Sequence, residues 1–173
     1  MSTTTIDEEL AGIRHRIDRL QARAQTGARI RRHIDPLHQA EAAVRAALRQ
    51  EDSDEVEDKL EQLKTRLDVA EHSLEADASD DWATFAAAVE AELNSWDTYL
   101  ERLQTGVVAR AWKAREQAEA AIGDVRTYRI AVGDRLAQAR DSGGAVREST
   151  RKRVTAARNE LDKRAAELSA TLN

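Results

Sequence analysis

Apolar residues recur along this chain at alternating spacings of three and four, the seven-residue repeat of a helix lying along another helix. A first seam runs Ile6, Leu10, Ile13, Ile17, Leu20 and Ala24; it shifts phase by one residue at Gly27 and resumes at Ile30, Ile34, Leu37, Val44 and Leu48. Thr5 with Glu8 has the form of a capping box at its start. Asp35-Pro36 reads as a kink or as a fresh helix start, of which a kinked long helix over residues 5–50 is the favoured reading.

After Glu51-Asp52-Ser53-Asp54, where Asp52 with Glu55 or Asp54 with Glu57 offers a cap, a second seam follows: Val56, Leu60, Leu63, Leu67, Ala70 and Leu74. Trp82, Phe85, Val89, Leu93, Trp96, Leu100 and Leu103 continue that stripe, so residues 54–103 read as one helix or as two divided near Ser79. Gln104-Thr105-Gly106 is a softer boundary. A third seam then carries Val108, Ala111, Ala118, Ile122, Val125, Val132, Leu136 and Ala139, with Arg115 and Arg129 at positions where an apolar residue is expected. Each arginine either snorkels to water or pairs with an acidic helix. Paired glycines at Gly143-Gly144 end it, and Val154, Ala157, Leu161, Ala165, Leu168 and Leu172 form the last seam. The expected fold is all-α, a single antiparallel bundle of three to four long helices over 5–50, 54–103, 107–141 and 145–172, packed like a coiled coil. It closes as a four-helix bundle or stays elongated around a central rod.

Composition sharpens this picture. Of 173 residues 32 are alanine, so the seams are narrow and bury little area per residue, which leaves room for a dimer that covers leftover apolar surface. With no cysteine, disulfide frameworks, thiolate metal sites and cysteine nucleophiles are all excluded. No segment approaches the length of an apolar membrane span, and Met1 to Leu10 lack the features of a secretory signal, so a cytoplasmic protein is expected.

Charge is unevenly placed. Residues 1–50 carry a net +3, residues 51–101 a net −14 and residues 102–173 a net +6. An acidic middle between basic flanks predicts that the flanks fold back onto it. The rival is that the flanks, with the runs Arg29-Ile30-Arg31-Arg32-His33 and Arg151-Lys152-Arg153, bind nucleic acid. Acidic residues interspersed in both flanks, and runs without stacking aromatic neighbours, favour self-pairing.

Candidate chemistry is sparse. Asp35, His38 and Glu41, and His72 with Glu75, share helix faces at metal-ligand spacing, but no second matching half accompanies them, so His15, His33, His38 and His72 read as solvated. Phosphate loops and nucleophile elbows are missing, so no catalytic, cofactor or metal residues are expected. Trp82, Trp96 and Trp112 read as core plugs.

The stretch Lys59-Leu60-Glu61-Gln62-Leu63-Lys64-Thr65-Arg66-Leu67, with Asp81-Trp82-Ala83-Thr84-Phe85 and Ser95-Trp96-Asp97-Thr98-Tyr99-Leu100, resembles small bacterial coiled-coil proteins labelled stress-response or apolipoprotein-like. The resemblance covers about the first 105 residues and implies a helical protein without catalytic residues. The function expected is a non-enzymatic scaffold for self-association or for another protein, without a small-molecule substrate. The alternatives are an amphipathic binder of lipid or storage-granule surfaces and, after that, a nucleic-acid binder.

Overall fold

In the computed structural model, residues 3–24, 26–108, 110–142 and 147–172 are described. They are almost entirely helical, with no strand among them. Among the described residues six helices form where three to four were expected: α1 (Thr3–Ala24), α2 (residues 27–50), α3 (Ser53–Ala78), α4 (Trp82–Val107), α5 (Trp112–Asp141) and α6 (Arg147–Leu172).

Two of the extra breaks have local causes. The long first helix divides at Thr26, not at Pro36. Thr26 is extended, and its hydroxyl oxygen accepts from Arg29 N–H at 3.3 Å, which caps α2 at the residue where the seam slips phase. Pro36 is absorbed instead. Residues Ile30–Ile34 widen into a π turn in which Asp35 N–H bonds to Ile30 C=O, five residues back, and Asp35–Gln50 continues from there. A proline ring clashes with the carbonyl four residues before it, and the wider turn relieves that clash. Thr5 lies inside α1 rather than at its cap.

The second break falls between Ala78 and Trp82, near Ser79. Ser79 Oγ donates to Glu75 C=O at 2.8 Å, and Asp81 caps α4 by accepting from Thr84 N–H at 2.9 Å. Thr105 and Gly106 sit within α4, so the softer boundary there moves to Val107. Asp52 caps α3, accepting from Glu55 N–H at 3.1 Å. The turn before it holds Glu51 at φ 57°, in the left-handed region that glycine tolerates best. Glu51→Gly is therefore expected to stabilise the chain by about 0.5–1 kcal/mol in urea unfolding. Helix α5 ends at Asp141; Gly143-Gly144 lies outside the described residues.

Helix α3 is shared by two cores. Its face Val56, Leu60, Leu63, Leu67, Ala70 and Leu74 packs with the seams of α1 and α2. Val69 and Ala76, on another face, pack with the seams of α4, α5 and α6. The charge asymmetry is used as expected: basic residues from both flanks reach the acidic middle. Arg16 pairs with Asp68 and Glu71 at 3.2 and 2.8 Å, Arg129 with Asp97 at 2.6 Å and Arg140 with Glu90 at 2.6 Å. Arg115 does not reach it and pairs along its own helix with Glu119 at 2.7 Å.

Candidate functional site

The second face of α3 reads Arg66, Val69, Ser73, Ala76 at helical spacing, with Asp77 beside it. It meets α4 and α6 through charges that are almost fully buried. Arg158 of α6 is 3% exposed and Glu92 of α4 is 0% exposed. The Arg158 guanidinium donates from Nε to Glu92 Oε2 at 2.7 Å and from Nη1 to Asp77 Oδ1 at 2.9 Å. Its Nη2 donates to both the carbonyl and the Oγ of Ser73 at 3.0 Å, and Ser73 Oγ donates on to Glu92 Oε1 at 2.9 Å. A rigid planar fork with five N–H groups suits such a convergence of acceptors, and lysine does not.

The environment splits the titration of the neighbouring acids. Burial pushes Asp77 up, but His33, and Arg158 by charge and hydrogen bond, outweigh it and hold the carboxyl at about 2. Asp162, on α6, goes the other way. Burial and the charge of Glu92 push it to about 6 against the pull of His33, Arg66 and Arg158. Arg158 itself is raised, because Glu92, Asp77 and Asp162 together overcome its desolvation.

His33 corrects the expectation of four solvated histidines. It is 1% exposed at the π turn of α2, with Nε2 at 3.5 Å from Asp77 Oδ2, a long electrostatic contact rather than a well-made hydrogen bond. The widened turn and the packing of α2 on α3 bring it there, which spacing along α2 alone does not reveal. His15 and His38 are exposed and His72 is partly exposed, with His38 and His72 beside Glu41 and Glu75 at 3.8 and 3.7 Å. Glu41 is itself buried and serves as an acceptor for Arg45 at 2.6 Å. Among the described residues no group of three or more potential ligands is placed to hold a metal ion.

Beside the charged cluster runs a trench, floored by α3 and walled by α2 on one side and by α4 and α6 on the other. It consists of two adjoining cavities that share Pro36, Arg66 and Ser169. One is basic, with Arg31, Arg32, Lys163 and the single acid Asp162; the other brings in Tyr99, Leu103 and Val107. Arg32 Nε faces Asp162 Oδ2 at 3.5 Å, and Arg29 Nε lies 3.9 Å from Asp77. Much of the first basic run is thus turned inward. In the second run, Arg151 donates to the carbonyls of Ser79 and Asp80 and its guanidinium lies 4.5 Å from the centre of the Phe85 ring.

The three tryptophans divide. Trp96 is a fully buried core plug, and Trp82 is half-buried against the same core with its ring 5.7 Å from Phe85. Trp112, at the start of α5, is 78% exposed, and Val108 just before it is 58% exposed. That corrects the reading of all three as core residues: Trp112 stands beside the seam position Ala111, at the start of α5, and faces water.

Sequence reasoning missed Glu92, Arg158 and Asp162 as a buried set. A signal was present. Glu92 falls between Val89 and Trp96, and Arg158 between Val154 and Leu161, each on a seam at the three-and-four spacing. No helix of the described residues is long and apolar enough to cross a membrane. No family model, curated protein or solved structure matches this chain.

Proposed function

We propose that the chain is a non-enzymatic helical scaffold that works by protein–protein interaction, with a second copy of itself as the first partner to test. Trp112 carries this reading. A tryptophan left 78% exposed, next to an exposed valine, is costly in water and belongs to the residue type that most often anchors interfaces. Ile130, 55% exposed, lies eighteen residues on along α5, five full turns, and so on the same face.

The lipid- or granule-surface alternative has less support. It requires the helices to open, and the apolar seams it would use are consumed in the two cores. Nucleic-acid binding is weakened in the same way by the inward pairing of Arg29, Arg32 and Arg151. A cytoplasmic setting and a stress-associated role of a bacterial protein remain part of the proposal, resting on the resemblance and on the absence of cysteine.

The test is light scattering behind size exclusion across a hundredfold range of protein concentration. Mass is expected to rise toward a dimer with concentration, with Trp112 emission shifting to the blue, and Trp112→Ser is expected to abolish the rise while leaving the helical signal unchanged. A constant monomer mass in the unsubstituted chain, or a dimer indifferent to Trp112→Ser, overturns the reading.

A further inference from the structure

Arg66 and Arg158 project from different helices into the same region, and their fates differ. Arg158 has two carboxylates, a carbonyl and a hydroxyl around it. Arg66 is 4% exposed, yet it has no hydrogen bond and no carboxylate within salt-bridge distance among the described residues. Its Nη1 is buried without a partner, and its guanidinium rests 4.6 Å over the centre of the Trp96 ring and 5.9 Å from that of Tyr99. Trp96 Nε1, on the ring under it, is also buried without an acceptor. An arginine cannot shed its proton to escape burial, and ring stacking returns only part of the desolvation cost of an unpaired charge. Asp162 Oδ1, in the wall of the same cavity, is likewise buried without a partner, but it does not come within salt-bridge distance of Arg66, so both donors lack an acceptor in this arrangement.

The trench gives that acceptor a way in. Arg66 lines both cavities, at their junction. On one side Arg31 and Lys163, neither of them in an ion pair among the described residues, add positive charge; on the other, Tyr99, Leu103 and Val107 add apolar surface beside the polar groups of Asp58, Lys59, Gln62 and Arg110. Asp162 narrows the choice of anion. It lines the same cavity and pairs with Arg32 at 3.5 Å, so a more highly charged guest meets a carboxylate of the protein, whereas a single carboxylate suits the buried, unpaired guanidinium of Arg66.

We propose that the trench over Arg66 binds a small monocarboxylate, its carboxylate pairing with the Arg66 guanidinium and its apolar part lying along Tyr99, Leu103 and Val107. Two N–H groups of a guanidinium meet two carboxylate oxygens in one plane, and the stacked Trp96 ring holds that plane in place before the guest arrives. This site is independent of the exposed corner at Trp112, so the two proposals fail separately.

The probe is octanoate, titrated into the full chain carrying Trp82→Phe and Trp112→Phe, which leaves Trp96 as the only tryptophan. A saturable change in Trp96 emission is expected with octanoate and not with 1-octanol or inorganic phosphate at equal concentration. Arg66→Met is expected to weaken octanoate binding by about tenfold to a hundredfold, while its own unfolding midpoint without ligand holds or rises, since an unpaired buried charge has been removed. A structural arginine behaves the other way. Should Arg66→Met fail to fold, Lys163→Gln at the cavity wall is read instead, with several-fold weaker octanoate binding expected. Equal responses to octanol or to phosphate, affinity indifferent to both substitutions, or a lowered midpoint for folded Arg66→Met would overturn the assignment.

Discussion

Replacing Arg158 with methionine is expected to cost 3–5 kcal/mol of unfolding free energy, by the general magnitude of about 3–5 kcal/mol for removing one partner of a buried ion pair. The side chain is nearly the same length and fills most of the same volume, so packing is largely kept. What changes is charge. Glu92, without exposure to water, is left with Ser73 Oγ alone, and Asp77 keeps only the long contacts to His33 and Arg29 at 3.5 and 3.9 Å. Urea unfolding followed by the helical signal measures the loss. The arrangement should also be strongly non-additive: converting Glu92 and Asp77 to leucine in the same chain is expected to recover most of it, because apolar residues of similar volume often replace buried ion pairs at little cost. A loss below about 1 kcal/mol for the single substitution would mean that water reaches these charges, and would remove the cluster as the joint between α6 and α3.

The second large effect is a stability profile with two arms of opposite slope. Asp77 is held at about 2 in the fold, below the ordinary value near 3.8 that it regains on unfolding. Between pH 2 and 4 the unfolded chain therefore binds more protons, and stability rises with pH by about 2 kcal/mol. Asp162 is pushed up to about 6, so between pH 4 and 6 the folded chain holds the extra proton and stability falls as pH rises. The groups facing Asp162 come from every neighbouring helix: His33 and Arg32 from α2, Arg66 from α3, Glu92 from α4 and Arg158 from its own. Together the two acids place a maximum near pH 4. Urea midpoints taken from pH 2 to 8 should show it. Asp162→Asn is expected to flatten the arm above pH 4 and leave the acid arm standing, and Asp77→Asn to do the reverse. A monotonic profile, or one unchanged by either substitution, would contradict the assignment.

Much of the backbone is legible in the order of residues along the chain. The seam of α1, from Ile6 to Ala24, is buried as read, and so is the α3 seam from Val56 to Leu74. The phase slip at Gly27 marks a real break, but Pro36 draws the attention, because a proline's penalty is visible in sequence whereas a π turn that absorbs it is not. The candidate site is far less legible. Arg66, Ser73 and Asp77 look like the solvated side of an amphipathic helix whose apolar stripe is already accounted for, and nothing local says that another helix will cover them. Glu92 and Arg158 stand on seams, where the choice between snorkelling and pairing depends on what lies opposite.

Alone, the sequence determined what depends on near neighbours along the chain. It determined helices along nearly the whole chain, a cap within the Asp52–Asp54 boundary, the faces that must leave water, and a charge pattern that turns basic flanks toward an acidic middle; which residue caps α4, Asp81, it did not. Only the tertiary structure decided that α3 has two buried faces and so joins two cores. It also decided that Arg158 pairs with its acids while Arg66, though it faces Asp162, pairs with none. The physical reason is that burial of a charge belongs to a place rather than a residue: whether a guanidinium finds water, a carboxylate or an empty trench is settled by helices that lie far away along the chain.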